Sequence, residues 1–325
     1  MLNKIKNMDH TVLSLILMYV FVLGFMAIVN PQGYYNILNI KAMIYVFPAF
    51  GIIAYGMMLC MISGGIDLSL VGIANLTGVV AAFILVKMGG KEAGFGAIII
   101  AIVAALVVGA LCGIFNGFMI GYLRIPAMLV TLCGLQLYTG LAMIITTGPG
   151  ITGLPESYIQ LANGGIGPVP FVLPLFIIIT IAVSFLTKNT TYGQKVYFLG
   201  SNEQASKYSG INNLKVTITT YMISGIMGAI SGIITSSHYG SGKSNYNTSY
   251  TLLSLLIVVL GGVHPDGGKG KVAGVCLAIV LLQLISSAFN VMNIDTVICD
   301  MAYGIILILA LIIPMISAKL NAKKK

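Results

Sequence analysis

The stretch Gly94–Phe118, GFGAIIIAIVAALVVGALCGIFNGF, contains no charged residue and is long enough to cross a lipid bilayer as one helix. A hydrocarbon core about 30 Å thick requires roughly 20 apolar residues of helix. The rest of the chain is similar: of 325 residues, 58% are hydrophobic and 8% are charged, and the mean hydropathy is +1.01. Soluble domains carry about 25% charged residues, so the composition excludes a soluble globular protein.

Apolar runs of this kind recur along the chain, and we count about ten. They lie at 12–29, 44–62, 68–86, 94–118, 126–147, 168–186, 216–236, 252–263, 272–291 and 297–316. The eighth is short, so we expect it either to begin nearer Tyr246 or to enter a cavity without crossing fully, where protein or water covers irregular backbone. The predicted fold is all-α: one polytopic bundle of transmembrane helices over residues 1–325.

Basic residues predict the orientation of such a bundle, because Lys and Arg stay on the cytoplasmic side. With the N-terminus inside, 13 basic residues face the cytoplasm: Lys4, Lys6, Arg124, Lys188, Lys195, Lys207, Lys215, Lys269, Lys271, Lys319, Lys323, Lys324 and Lys325. Only 4 face outside: Lys41, Lys87, Lys91 and Lys243. We therefore expect a multi-pass protein of the cytoplasmic membrane, surrounded by lipid, with both termini inside. The net charge of +9 reflects this orientation and not binding to nucleic acid.

Catalytic patterns are missing from the sequence. Gly240–Ser244 ends like a phosphate-binding loop, but Ser237 stands where the pattern requires glycine. Five scattered cysteines predict neither disulfides nor a zinc site, and three scattered histidines form no metal-binding pattern. We predict no catalytic residue, no metal, no cofactor and no ATPase site in this chain. An intramembrane enzyme is disfavoured for the same reason.

Small residues recur at every fourth position in two of the apolar runs. One stripe is Ala101, Ala105, Gly109, Gly113 and Gly117, and the other is Ser224, Gly228, Gly232 and Ser236. Such stripes let helix backbones approach closely in lipid, so we expect both to pack against other helices.

Two polar breaks interrupt the apolar pattern in a similar way, at Ser63–Asp67 and at Leu260–His264, and they suggest a faint internal repeat. In the first break, Asp67 is suited to cap the next helix by accepting an N–H from Ser69 or Leu70. The break could equally border a solute pathway. Polar residues also occur within the runs: Asn75, Asn116, Gln136, Thr139, Gln283, Asn290 and Asp300. Most of these should bond between helices, and our candidates for the translocation pathway are Asp67, Ser69, Asn75, Asn116 and Gln136.

The predicted cytoplasmic loop at 188–215 is the longest and most polar on its side. Within it, Glu203–Tyr208 is predicted to form a short helix with Asn202 at its N-cap and Gly210 at its C-terminal cap. Such a helix suits docking into a groove of a partner protein. An ordinary solvated loop is the alternative on physical grounds.

Four stretches, taken together and in this order, resemble the permease subunit of ATP-binding-cassette importers of the ribose type, which serve simple sugars. The resemblance covers about Ala49–Leu311 and is carried by Ser63–Ser69, Asn116–Leu132, Gly200–Ile211 and Val259–Gly270. It implies that the third stretch contains the helix that contacts a separate ATPase. The ATPase-coupling residues are then Gly200, Asn202, Glu203, Ala205, Ser209, Gly210 and Ile211.

The resemblance also implies the partners: an ABC ATPase pair, an extracytoplasmic substrate-binding protein and a second permease copy. The expected function is import of a simple sugar, a ribose-like pentose or a hexose, by alternating access. Val263–Asp266 and Tyr303 depart from the family pattern, so nucleosides, an autoinducer or branched-chain amino acids stay open as solutes. An ion-coupled secondary transporter is the rival class, but the runs contain no paired carboxylates of the kind such transporters need.

Overall fold

The computed structural model of the chain describes residues 10–167, 169–246 and 248–322. Lys4, Lys6 and Lys323–Lys325, which entered the charge count, lie outside the described residues. The helices are α1 (His10–Val29), α2 (Pro31–Tyr34), α3 (Ile37–Ile62), α4 (Leu70–Lys87), α5 (Phe95–Gly121), α6 (Ala127–Thr146), α7 (Glu156–Asn163), α8 (Val172–Asn189), α9 (Thr191–Ser201), α10 (Glu203–Tyr208), α11 (Asn213–Tyr239), α12 (Tyr250–Leu260), α13 (Val272–Val291) and α14 (Thr296–Ala322). A 3₁₀ turn occupies Gly90–Glu92. The all-α prediction is confirmed.

Among the residues that the structure describes, seven helices are long and apolar enough to cross a membrane: α3, α4, α5, α6, α8, α11 and α13. Shorter apolar stretches lie at Ser14–Val29, Tyr250–Leu260 and Val297–Ala310. Each of the ten predicted runs therefore falls on an apolar helix, and within the residues whose side chains the structure describes seven of these helices meet the length and hydropathy expected of a full crossing.

Small two-stranded sheets join the ends of helices. Strand β1 (Ile151–Thr152) pairs antiparallel with β4 (Ser241–Gly242), and β2 (Gly165–Ile166) pairs with β3 (Val169–Pro170). Helix α7, which the sequence patterns did not predict, is fixed to α11 because the Tyr158 hydroxyl lies 2.7 Å from Ser236 Oγ.

Helix α11 is the centre of the bundle and packs against α3, α4 and α5. The stripe on α5 contacts α11 closely: a Cβ on Gly109 would lie 2.6 Å from Gly225 O and from Ala229 Cβ. A Cβ on Gly113 would lie 2.9 Å from Met222 Cα. The prediction that this stripe packs between helices is confirmed.

The second stripe, on α11, faces α4 and the break that precedes it. A Cβ on Gly228 would lie 3.1 Å from Leu70 O, and Ser236 Cβ lies 3.4 Å from the Cβ position of Gly78. The two stripes therefore do not face each other. Each uses small residues to bring α11 against a different neighbour, so substitutions in either stripe would push α11 away from one helix only.

The region 188–215 is more helical than the sequence suggested. Helix α8 continues to Asn189, and α9 follows at once because Thr190 Oγ1 accepts a hydrogen bond from Gly193 N at 3.1 Å. The sequence predicted only the shorter α10 here, and the cap at Thr190 is the signal that could have revealed α9.

Helix α12 begins at Tyr250, so the expectation of a start nearer Tyr246 is wrong. With 11 residues it is about 16 Å long, roughly half of a bilayer core. Before it, Ser241–Gly242 form β4 and residues 244–246 and 248–249 form turns, as expected if this run enters the bundle without forming a complete helical crossing.

Candidate functional site

Helix α10 projects from one end of the bundle and is held by both of its caps. Asn202 Oδ1 accepts a hydrogen bond from Ala205 N at 2.9 Å, which confirms the predicted N-cap. Gly210 follows the helix with φ +78°, a left-handed conformation that glycine adopts without strain, and its N–H donates to Lys207 O. The predicted C-terminal cap is therefore also confirmed.

The inner face of α10 is fixed to the start of α11. Ser206 is completely buried and its hydroxyl lies 2.8 Å from Asn213 Oδ1, while Asn213 Nδ2 donates to Glu203 O at 2.9 Å. These two bonds connect α10 to the first turn of the central helix.

The outer face of α10 is open. The proposed coupling residues Asn202, Glu203, Ala205, Ser209 and Gly210 are exposed, and Gly200 and Ile211 are half-buried. Tyr208 is 92% exposed, the highest value among the large apolar and aromatic side chains that the structure describes as exposed. Sequence reasoning did not select Tyr208, although tyrosine is enriched where proteins bind one another.

Three glycine-containing segments meet beneath α9 and α10, and we call this contact the glycine junction (Ile62–Gly64, Gly200–Ser201 and Gly267–Gly268). Gly268 N donates to Ile62 O at 2.9 Å. A Cβ on Gly200 would overlap Ile62 O and lie 2.7 Å from Gly268 N. A Cβ on Gly267 would lie 2.8 Å from Gly200 O, so the three backbones touch with no space for side chains.

The junction joins the first polar break, Ser63–Asp67, to the loop that follows the second break, Leu260–His264. The first break ends α3, the second follows α12, and the last turn of α9 lies against the first break and against Gly267–Gly268. The Tyr197 hydroxyl adds a link from α9, since it donates to Gly270 O at 2.7 Å. The end of α9 is thus in direct backbone contact with the first break and with the loop that follows the second.

Asp67 lies at the centre of a buried hydrogen-bond network. Its Oδ1 accepts from Ser69 N at 3.1 Å and from Ser69 Oγ at 2.6 Å, and its Oδ2 accepts from Ser224 Oγ at 2.7 Å. Asn116 Nδ2 donates to Ser69 Oγ at 2.8 Å, and the Tyr138 hydroxyl donates to Asn116 Oδ1 at 2.8 Å. The network ties α4, α5, α6 and α11 to the first break.

The predicted cap bond from Ser69 N to Asp67 is therefore present, while Leu70 N takes no part in it. Burial raises the pKa of the Asp67 carboxyl, and the hydrogen bonds from Ser69 and Ser224 lower it. Asp67, Ser69 and Asn116 each have no exposed surface, so in this conformation all three hold helices together.

The other two pathway candidates lie in different surroundings. Asn75 is buried on α4 and donates to Ser244 O at 2.9 Å, within a tight recess lined also by Gly78, Gly232 and Tyr246. Gln136, halfway along α6, is exposed on the outside of the bundle, and the five candidates therefore do not form one cluster.

The remaining polar residues of the apolar runs differ in burial. Gln283 is buried, Thr139 is half-buried, and Asn290 and Asp300 are exposed. Ser249 Oγ donates to Asp300 Oδ2 at 3.1 Å. The residues that depart from the family pattern lie in two separate places. His264 and Asp266 are exposed in a turn, with 3.5 Å between His264 Nδ1 and Asp266 Oδ2. Tyr303 is buried, and the centre of its ring lies 6.2 Å from that of Phe289.

Residues 39–313 match the family of permease components typified by branched-chain amino acid transport systems. The chain belongs to this permease family. The permease is 32% identical over 266 residues to the ribose import permease protein of Escherichia coli K12, covering 81% of each chain. It is 30% identical to the L-arabinose transport system permease protein of the same organism, over 85% of this chain and 82% of that one.

A further relative is the autoinducer 2 import system permease protein of Klebsiella pneumoniae, 29% identical over 94% of this chain and 91% of that one. No solved structure matches the permease. Family membership and the apolar helices together make the permease a multi-pass protein of the cell membrane.

Proposed function

We propose that this permease is the membrane subunit of an ATP-driven importer for a simple sugar, working by alternating access, with ATP hydrolysis on a separate ABC ATPase. The observation that carries the proposal is α10: a helix capped at both ends, open on its outer face and fixed to α11 on its inner face. The similarity to ribose and L-arabinose permeases over four-fifths of the chain supports the sugar as solute.

The proposed orientation places α9 and α10 in the cytoplasm. Among the residues whose side chains the structure describes, 7 basic residues lie at this end of the bundle: Arg124, Lys188, Lys195, Lys207, Lys215, Lys269 and Lys271. The opposite end carries 4: Lys41, Lys87, Lys91 and Lys243. The excess of basic residues supports a cytoplasmic position for α10. Ten passages through the membrane and two cytoplasmic termini complete the proposed topology, with α12 as a partial helix.

We propose two mechanical links from the ATPase to the bundle. The first runs from α10 through Ser206 and Asn213 into α11, and the second runs from the end of α9 through the glycine junction into α3 and α12. Because close-packed backbones cannot absorb a displacement, movement of α9 would shift both helix breaks together.

The proposed pathway passes the outer face of α6, where Gln136 presents an amide halfway across the membrane. A polar side chain at that depth is costly against lipid and normally faces protein or water. A second permease copy and the solute pathway would supply such surroundings. Asp67, Ser69 and Asn116 would then support the pathway from behind and reach solute only in another conformation.

The proposed assembly also contains an extracytoplasmic substrate-binding protein, which delivers the solute. Nucleosides, an autoinducer or branched-chain amino acids are the alternative solutes within the same importer class, and the autoinducer 2 relative favours the second of these. An ion-coupled secondary transporter is a weaker alternative, since the buried carboxyl of Asp67 is bonded to serines and not to a second carboxylate.

Charge reversal on α10 tests the proposal. The two test variants are Glu203→Lys, which reverses a charge, and Gly210→Val, which places a β-branched residue at a positive φ. Each should reduce copurification of the ATPase about tenfold or more and uncouple ATP hydrolysis from uptake. Membrane insertion should be retained. Glu92→Lys is the matched control, because Glu92 is an exposed glutamate at the opposite end. Normal ATPase binding and uptake by both α10 variants would show that α10 is not the docking helix.

A further inference from the structure

The described residues between α11 and α12 are not helical, and part of this stretch lies deep within the bundle. Asn75 Nδ2 holds Ser244 O at 2.9 Å. Asn75 is 12 residues from Lys87, the charged end of α4, which corresponds to about 18 Å along a helix. Ser244 is therefore well below the level at which α4 leaves the hydrocarbon core.

A second measure of depth comes from the start of α12. The Tyr250 ring packs edge-on against Phe50, with 5.6 Å between the ring centroids. Phe50 is nine residues from Lys41, which corresponds to about 14 Å along α3. Two neighbouring helices thus give the same result: this segment enters the membrane region and α12 begins inside it.

One side of the segment is covered by protein. A Cβ on Gly242 would lie 2.8 Å from Ala82 Cβ, and the pairing of β4 with β1 satisfies part of the backbone. The hydroxyls of Ser241 and Tyr246 are 2.6 Å apart. Lys243 Nζ stands 5.6 Å from the centre of the Tyr246 ring, a cation–π contact that holds the charge near the segment.

The other side carries exposed polar side chains. Asn245, Thr248 and Ser249 are exposed, and so is Asp300, to which Ser249 is bonded. Irregular backbone and polar side chains at this depth are excluded from contact with lipid and are tolerated where they line water. The polar side therefore cannot be a lipid-facing surface.

We infer that residues 243–246 and 248–249, the vestibule segment, line an aqueous vestibule open to the extracytoplasmic side and contact the solute on its way in. The inference deepens the proposed function and rests on it for the class of solute. Amide and hydroxyl groups offer donors and acceptors to a neutral, hydroxyl-rich molecule. The Tyr239 ring, stacked on Tyr246 at 4.6 Å and 54% exposed, offers an apolar surface beside them.

Cysteine labelling of the assembled importer tests this inference. In a Cys133→Ser background, which removes the exposed native thiol, Asn245→Cys and Thr248→Cys are treated from the extracytoplasmic side with a membrane-impermeant thiol reagent. Both should react, because thiols ionise and react in water. Ile178→Cys is the control: Ile178 is 62% exposed on the apolar outside of α8 and should not react.

Addition of D-ribose or L-arabinose with the substrate-binding protein should slow labelling at 245 and 248 severalfold. Absence of labelling would overturn the vestibule, and a disulfide between two copies at 245 would assign the segment to a dimer interface instead. Labelling that no sugar slows would overturn the solute contact. Labelling needs no ATP and therefore tests the vestibule separately from the proposed function. If the labelling pattern is as expected but uptake does not depend on ATP, the proposed function fails and the vestibule stands.

Discussion

Two buried serines on α11 provide a matched test of the network around Asp67. Ser224 and Ser231 are seven residues apart, and both side chains are completely buried. Ser224 Oγ donates to Asp67 Oδ2 at 2.7 Å, whereas Ser231 Oγ has no hydrogen-bond partner among the residues that the structure describes. Replacement by alanine removes the same atom at both positions, so the difference between the two variants isolates the hydrogen bond.

The expected magnitude follows from the surroundings of Asp67. A hydrogen bond to a charged group contributes about 1.5–3 kcal/mol in soluble proteins. Bonds between transmembrane helices contribute about 0.6 kcal/mol on average and reach about 1.7 kcal/mol. Cys60 Sγ, at 4.0 Å, is a weak substitute donor to Oδ2. We therefore expect Ser224→Ala to lower the free energy of unfolding by about 1.5 kcal/mol, and Ser231→Ala to leave it unchanged or slightly higher.

Unfolding of the purified permease in detergent, followed by far-ultraviolet circular dichroism, measures both variants. The chain contains no tryptophan, so intrinsic tryptophan fluorescence is not a usable signal. Equal destabilisation by the two substitutions would refute the argument, because the loss would then come from packing alone and not from the bond to Asp67.

Three further predictions concern coupling and transport. Gly200→Ala places a Cβ against Ile62 O and should lower the free energy of unfolding by about 1–3 kcal/mol. The same variant should transport less solute per ATP hydrolysed. Gly96→Ala is the control: its Cβ would have nothing within 4 Å, so neither the stability nor the transport ratio should change. Asn202→Ala removes the N-cap of α10 and should lower the stability of that helix by about 1 kcal/mol. We expect the variant to bind the ATPase more weakly in a copurification assay, and unchanged affinity would show that the cap is dispensable. Gln136→Leu should lower the uptake rate severalfold with ATPase binding intact; unaltered uptake would remove Gln136 from the pathway.

Local signals in the sequence were sufficient for several elements. The caps at Asn202 and Gly210 predicted α10 correctly, because capping depends on residues within one or two turns. The small-residue stripes correctly predicted close helix packing. The short eighth run corresponds to a short helix of 11 residues, and an incomplete crossing of the membrane there stays a prediction.

Long-range partners could not be predicted in the same way. Ser224 is 157 positions from Asp67, and no local pattern indicates which of the buried serines would donate to that carboxyl. The two polar breaks were recognised as similar, but the contact at Gly200 between the first break and the loop after the second depends on how α9 lies across the bundle. Gln136 and Asn116 looked alike as polar residues in apolar runs, yet packing buried one and exposed the other.

The most direct test of the central claim is solute uptake by the permease reconstituted in proteoliposomes with its ABC ATPase and substrate-binding protein. We predict that uptake of labelled D-ribose or L-arabinose requires ATP and both partners, continues when ionophores dissipate every ion gradient, and stops with Glu203→Lys. Uptake driven by an ion gradient in the absence of ATP would contradict the account.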